Sequence, residues 1–267
     1  MKHTTVIAGR ELRSYFVSPV AYAVLTLFAV IGGFFFLASV LSFESELANI
    51  NQMQAFDYLE TMNLNDGVIQ PFFQIMWIVM LVLVPSLTMS LFSAEKTNGT
   101  EELLLTSPLT IWELVLGKLL AALAMITLLT AMLAAFCGIL FWFADPMPEP
   151  RKALAGLLAV WLLGANYAAI GCFASSVTRN QLIAFFLAIV LIFFLWLIAV
   201  VTQIGAFQQA VGAESAFAQI LGWISTADHF DALMKGIVDT RDLAYFVGIS
   251  ALFVLLTKAS VESVRWR

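Results

Sequence analysis

From about Ile111 to Phe143 the chain is almost unbroken in apolar residues, with charge only at Glu113 and Lys118 near its start. At 1.5 Å of rise per residue, a helix of that length exceeds the roughly 30 Å thickness of a bilayer's hydrocarbon core. A helix that is apolar all round belongs inside a bilayer or a large protein core. Five further runs, at about 20–41, 71–92, 153–177, 182–201 and 243–256, repeat the pattern. Composition points the same way: 61% of residues are hydrophobic and 12% charged, whereas soluble domains carry about 25% charged residues. The expected fold class is an all-α polytopic membrane protein, residues 1–267 forming a single transmembrane domain with six transmembrane helices.

Six spans put both termini on one side, together with the segments at 94–118 and 178–181. Nine of the thirteen basic residues fall there: Lys2, Arg10, Arg13, Lys96, Lys118, Arg179, Lys258, Arg265 and Arg267. The positive-inside rule then makes both termini cytoplasmic. Residues 1–18 precede the first span. On a helical wheel Ala8, Leu12, Tyr15 and Phe16 share one side and His3, Arg10 and Arg13 the other, which fits an interfacial amphipathic helix. Val6 sits on the polar side, and an ordinary positive anchor ahead of a span is the alternative. The following apolar run is too long for a signal-peptide core, so it reads as an uncleaved anchor. Ser18-Pro19 separates the two helices.

Between spans two and three the sequence AEKTNGTEELLLTSPLTIWELVLGK is charged, capped and Pro-terminated. Glu95 and Lys96 end one helix and Asn98-Gly99 makes a turn. Thr100 can N-cap a short helix whose first turn carries Glu101 and Glu102, where acids suit the helix dipole. Leu103, Leu104 and Leu105 give that helix an apolar surface, and Pro108 stops it after Ser107. Thr110 and Glu113 form a capping box for the next helix, whose first turns should project beyond the membrane, with Lys118 snorkelling at the boundary.

Elsewhere, Pro71 opens the second span and Pro85 should kink it, as a moving part or as a packed one. The fourth span carries Gly164, Ala168 and Cys172, then Ala165 and Ala169, at helical spacing, a face suited to close helix packing. Asn166 on that span reads as interhelical glue. Residues 202–241 break into short apolar pieces suited to re-entrant or interfacial helices, with Ser225 and Asp228 as a capping box. His229 in this stretch reads as an interfacial or capping residue.

Several chemistries are excluded. There is no G-x-x-x-x-G-K-[ST] phosphate loop, so nucleotide-driven work must come from another polypeptide. His3 and His229 are remote, Cys137 and Cys172 lie singly inside apolar runs, and no metal ligand set or enzymatic site is expected. A formal net charge of −5 with no basic stripe argues against nucleic acid. The spans lack the mid-membrane ionisable relay and the recurring helix breaks of a secondary transporter.

The order of interfacial helix, six spans, E-K-x-x-G-T-E-E-L-L-L-T-S-P between spans two and three, and broken helices between spans five and six resembles the type-2 ABC transporter permeases. Within them, Arg13-Ser14-Tyr15-Phe16 with Ser18-Pro19, the D-H-F-D stretch at 228–231 and the ending S-V-E-S-V-R-W-R are similar to the gliding-motility, GldF-like subfamily. The resemblance implies that Glu95, Lys96, Gly99, Thr100, Glu101, Glu102, Leu103, Leu104, Leu105, Ser107 and Pro108 form the coupling-helix region that docks on a cytoplasmic ABC ATPase. The interfacial helix, with Arg10, Leu12, Arg13, Tyr15 and Phe16, lies beside it. It also implies a homo- or heterodimer of permease chains in a bacterial inner membrane, a substrate path at the dimer interface, and ATP and Mg held by the ATPase subunits. The subfamily further implies a membrane partner with an extracytoplasmic domain. The alternative function is a non-transporting scaffold that links the ATPase to such a partner.

Overall fold

The computed structural model describes residues 2–54, 62–100, 109–204 and 222–264. The segment 101–108, with Glu101, Glu102, Leu103, Leu104, Leu105, Ser107 and Pro108, lies outside the described residues, as does 205–221. The described residues form the helices α1 (Lys2–Val17), α2 (Pro19–Met53), α3 (Gln70–Thr88), α4 (Ser93–Asn98), α5 (Ile111–Phe143), α6 (Pro150–Val177), α7 (Gln181–Gln203), α8 (Thr226–Met234) and α9 (Thr240–Val264). One π-helical turn, Asn65–Ile69, leads into α3. Six stretches are long and apolar enough to cross a membrane: Pro19–Met53, Asn65–Asn98, Ile111–Phe143, Pro150–Val177, Gln181–Ile198 and Thr240–Ser263.

Local chemistry sets the helix ends. Ser18 caps α2 by accepting from the Val20 N–H, and Pro19 occupies the first turn, where its missing donor costs nothing. Thr110 accepts from the Glu113 N–H at 3.2 Å while Glu113 accepts from the Thr110 N–H at 3.1 Å, so the capping box starts α5 as its sequence predicts. Asn180 caps α7 through the Leu182 N–H at 2.9 Å.

Helix α6 is the centre of the bundle, packing on α3, α5, α7, α8 and α9. Its small residues make this possible: a Cβ on Gly164 would stand 2.8 Å from Ile126 of α5 and 2.8 Å from Met80 of α3. Gly156 permits an equally close approach to Phe73, and Gly171 a closer one to Thr88. Ala168, Ala169 and Cys172 are buried along the same helix. Asn166 joins α6 to α9 by accepting from Ser250 at 2.6 Å.

Several elements depart from their expected bounds. α2 continues to Met53, well past the apolar run, because Phe43 packs over Gly67 and Leu47 lies against the core. α9 extends on both sides of 243–256, with Tyr245 and Phe246 buried near its start and Val261 near its end. The stretch expected as one kinked helix at about 71–92 is instead interrupted. Pro85 is buried, α3 ends at Thr88, and the chain turns through Met89–Phe92 before α4 begins at Ser93. Pro85 therefore lies packed in the last turn of α3, just before the break.

Candidate functional site

The interruption between α3 and α4 strands backbone groups that a continuous helix would have paired, and such groups are costly when buried. Side chains from three other helices satisfy them. Tyr15 of α1 donates its hydroxyl to the Leu87 carbonyl at 3.0 Å. Lys118 of α5 donates to the Leu91 carbonyl at 2.5 Å. Ser175 of α6 accepts from the Phe92 and Ser93 N–H groups at 2.9 and 3.0 Å and donates to the Met89 carbonyl at 2.9 Å. Burial pushes the Tyr15 hydroxyl well above the usual tyrosine range, so it stays a neutral donor.

Lys118 is the hub. Its side chain is 1% exposed, and it meets Glu95 Oε1 at 2.7 Å and Glu11 Oε1 at 3.3 Å. Its ammonium also lies 5.1 Å from the centre of the Phe92 ring. Arg10 closes the group, 2.7 Å from Glu11 and 3.6 Å from Glu95. Two cations and two carboxylates cancel, which is how a buried ammonium is made tolerable. The cluster replaces the expected snorkelling of Lys118: the partners reach the ammonium inside the protein, so the stem does not have to carry it to water. A cavity of about 710 Å³ adjoins it, lined by residues that include Arg10, Glu11, Ser14, Ser86 and Lys118.

Helix α1 is seated on α5 at the same point. A Cβ on Gly117 would lie 2.7 Å from Ile7 and 3.1 Å from the Thr4 carbonyl, so the two helices touch backbone to side chain. On the packed side of α1, Ile7 and Tyr15 are buried and Ala8, Glu11, Leu12 and Phe16 are half-buried, while Arg10, Arg13 and Val6 are exposed. The wheel placed Leu12, Tyr15 and Phe16 on the packing side but passed over Ile7 and Glu11. Glu11 stands four residues from both Ile7 and Tyr15, so helical spacing puts it on their face, but its cation lies 107 residues away in the chain.

Helix α4 is gripped from its other side as well. Lys96 Nζ donates to the Ser176 carbonyl and Thr97 Oγ1 to the Arg179 carbonyl, at the end of α6 and just beyond it. Gly99 closes α4 with φ of 70°, a left-handed conformation suited to glycine, and the Thr100 N–H returns to the Glu95 carbonyl at 3.0 Å. Of the residues expected in the coupling region, Glu95 and Lys96 thus meet α1, α5 and α6, and Gly99 and Thr100 form the exit from α4.

A second polar group lies around α8. His229 sits 2.6 Å from Asp242 through Nδ1 and 3.0 Å from the Trp223 carbonyl through Nε2, stacked on Tyr245 with centroids 4.3 Å apart. Tyr245 in turn bonds the Thr226 hydroxyl at 2.6 Å and the Ile224 carbonyl at 2.9 Å. His229 is therefore a clasp between α8 and α9, beyond the capping or interfacial role expected of it. Ser225 caps α8 by accepting from the Asp228 N–H.

No group of three or more potential metal-ligating side chains occurs among the described residues. Comparison with curated proteins returns no match. A family model described as ABC-2 family transporter protein matches residues 5–261, from within α1 to within α9, and so takes in the seated N-terminal helix, the charge cluster and all six apolar helices. This chain belongs to the ABC-2 family of transporter proteins, as a multi-pass membrane permease subunit.

Proposed function

We propose that this permease subunit receives ATP-driven motion from a separate cytoplasmic ABC ATPase through residues 99–108 and passes it to its spans through α4. Membership of the family implies association with an ABC ATPase, and permeases of this kind are typically non-enzymatic. The observation that carries the coupling reading is the way α4 is held. Glu95 is bonded to Lys118 on α5, Lys96 and Thr97 are bonded to the end of α6 and its following turn, and the α3–α4 break is sealed by Tyr15, Lys118 and Ser175. A displacement entering at Thr100 thus reaches α1, α3, α5 and α6 through these bonds.

In this reading both termini face the cytoplasm of a bacterium, ATP and Mg are bound by the partner, and a second permease chain completes the unit. The broad apolar faces of α2 and α7 support chain-to-chain or lipid contact: Phe34, Leu37 and Leu41 of α2 and Leu182, Phe186 and Phe194 of α7 are all exposed. Replacing Glu101 and Glu102 with Lys tests the docking step. Both ATPase co-purification and stimulated hydrolysis should fall, and unchanged values for both would overturn it.

A further inference from the structure

A cavity of about 640 Å³ lies between α3, α6, α7 and α8, away from the charge cluster. Its volume is that of a small-molecule site, which usually spans about 300–1,000 Å³ and combines apolar walls with a few placed polar groups. Its walls are aromatic, with Trp77 from α3, Tyr167 from α6, Trp196 from α7 and Phe230 from α8. Trp77 lies between Trp196 and Phe230, with centroids 6.5 and 6.1 Å away.

Two features give this cavity chemical character. The first is Asn166, which lines it and is 2% exposed. The Asn166 carbonyl oxygen is taken by Ser250, but its buried Nδ2 has no hydrogen-bond partner among the described residues. Such a donor is costly to leave unmade, so it favours a ligand that brings an oxygen acceptor. The second is charge. The charged residues lining the cavity are Asp228 and Asp231, both acids, while no Lys, Arg or His lines it among the described residues. Lys235 pairs with Asp231 at 2.6 Å without joining the lining. Aromatic faces and carboxylates both attract a cation, and both repel an anion.

We propose that this cavity binds a cationic aromatic amphiphile: a flat apolar body packed against the contacting pair Trp77 and Trp196, an oxygen acceptor toward Asn166, and its positive charge toward the α8 carboxylates, Asp228 and Asp231. The described residues that line the site all belong to one chain. The site therefore stands or falls separately from the ATPase coupling proposed above, and is measured without the ATPase.

The full chain in nanodiscs is titrated with rhodamine 6G, a xanthene cation bearing an ester carbonyl, and read by fluorescence anisotropy against empty nanodiscs. Saturable binding above the empty-disc signal is expected. Asn166→Leu should weaken it about 5- to 10-fold, the value of one hydrogen bond, and Trp196→Ala by at least as much. Asp228→Asn, which keeps the shape of the side chain, should weaken binding of the cation. Fluorescein, an anionic xanthene of similar shape, should bind at least about tenfold more weakly. Absence of saturable binding overturns the proposal. So does binding left unchanged by both Trp196→Ala and Asp228→Asn, which guards against misfolding of the Asn166 variant, and so does fluorescein binding as tightly as rhodamine 6G.

Discussion

The ammonium of Lys118 and the carboxylate of Glu95 meet at 2.7 Å with the lysine side chain 1% exposed, joining α5 to the short helix that leads into residues 100–108. A charge at that depth is tolerable only while its partners stay in place. The pair therefore behaves as a conditional link between α4 and α5.

Lys118→Met should destabilise the protein by about 3 kcal/mol, because it leaves Glu95 and Glu11 without their cation and the Leu91 carbonyl without a donor. Lys118→Met combined with Glu95→Gln should be less destabilised than the single variant. Thermal unfolding in one detergent compares them, and a double variant worse than the single one would contradict the pairing.

Ser175→Ala removes one hydroxyl that serves two N–H groups and one carbonyl in the α3–α4 break. The expected cost is about 1–3 kcal/mol. Hydrogen exchange should accelerate at the Phe92 and Ser93 amides while amides in the middle of α6 remain protected.

Gly117→Ala places a methyl group 2.7 Å from Ile7, where α1 crosses α5. Overpacking of this kind costs about 1–3 kcal/mol. Adding Ile7→Ala should restore most of the loss in unfolding midpoint, since it vacates the same space. Failure of that rescue would mean that α1 does not rest on Gly117.

Tyr15 gives a pH dependence. Its hydroxyl is neutral and buried, with the folded-state pKa raised by burial. The stabilisation is complete below the ordinary tyrosine pKa of about 10 and is lost as the pH rises through the higher folded value. Between pH 8 and 11 the unfolding midpoint of the parent chain should fall more steeply than that of Tyr15→Phe. At pH 8 the variant should be weaker by about 1 kcal/mol, the worth of the bond to the Leu87 carbonyl.

Hydropathy in the sequence determined the all-helical class and the six apolar helices, because a chain in a bilayer must satisfy its backbone within each segment. Short-range chemistry likewise determined the starts of α2 and α5, since Ser18-Pro19 and Thr110 with Glu113 act over three residues. The small residues around Gly164 and Ala168 announced a packing helix, though not that it would lie at the centre of the bundle. Only the tertiary structure decided the rest. Whether Pro85 bends a helix or ends it depends on donors from Tyr15, Lys118 and Ser175, each far away in sequence. Lys118 read alone is a snorkelling cation, and Glu11 read alone is a surface acid. Each takes its meaning from the other, and pairing across α1, α4 and α5 is a property of the fold that no single helix encodes. Asn166 follows the same rule: its bond to Ser250 and the aromatic cavity beside it exist only once α3, α6, α7, α8 and α9 have packed.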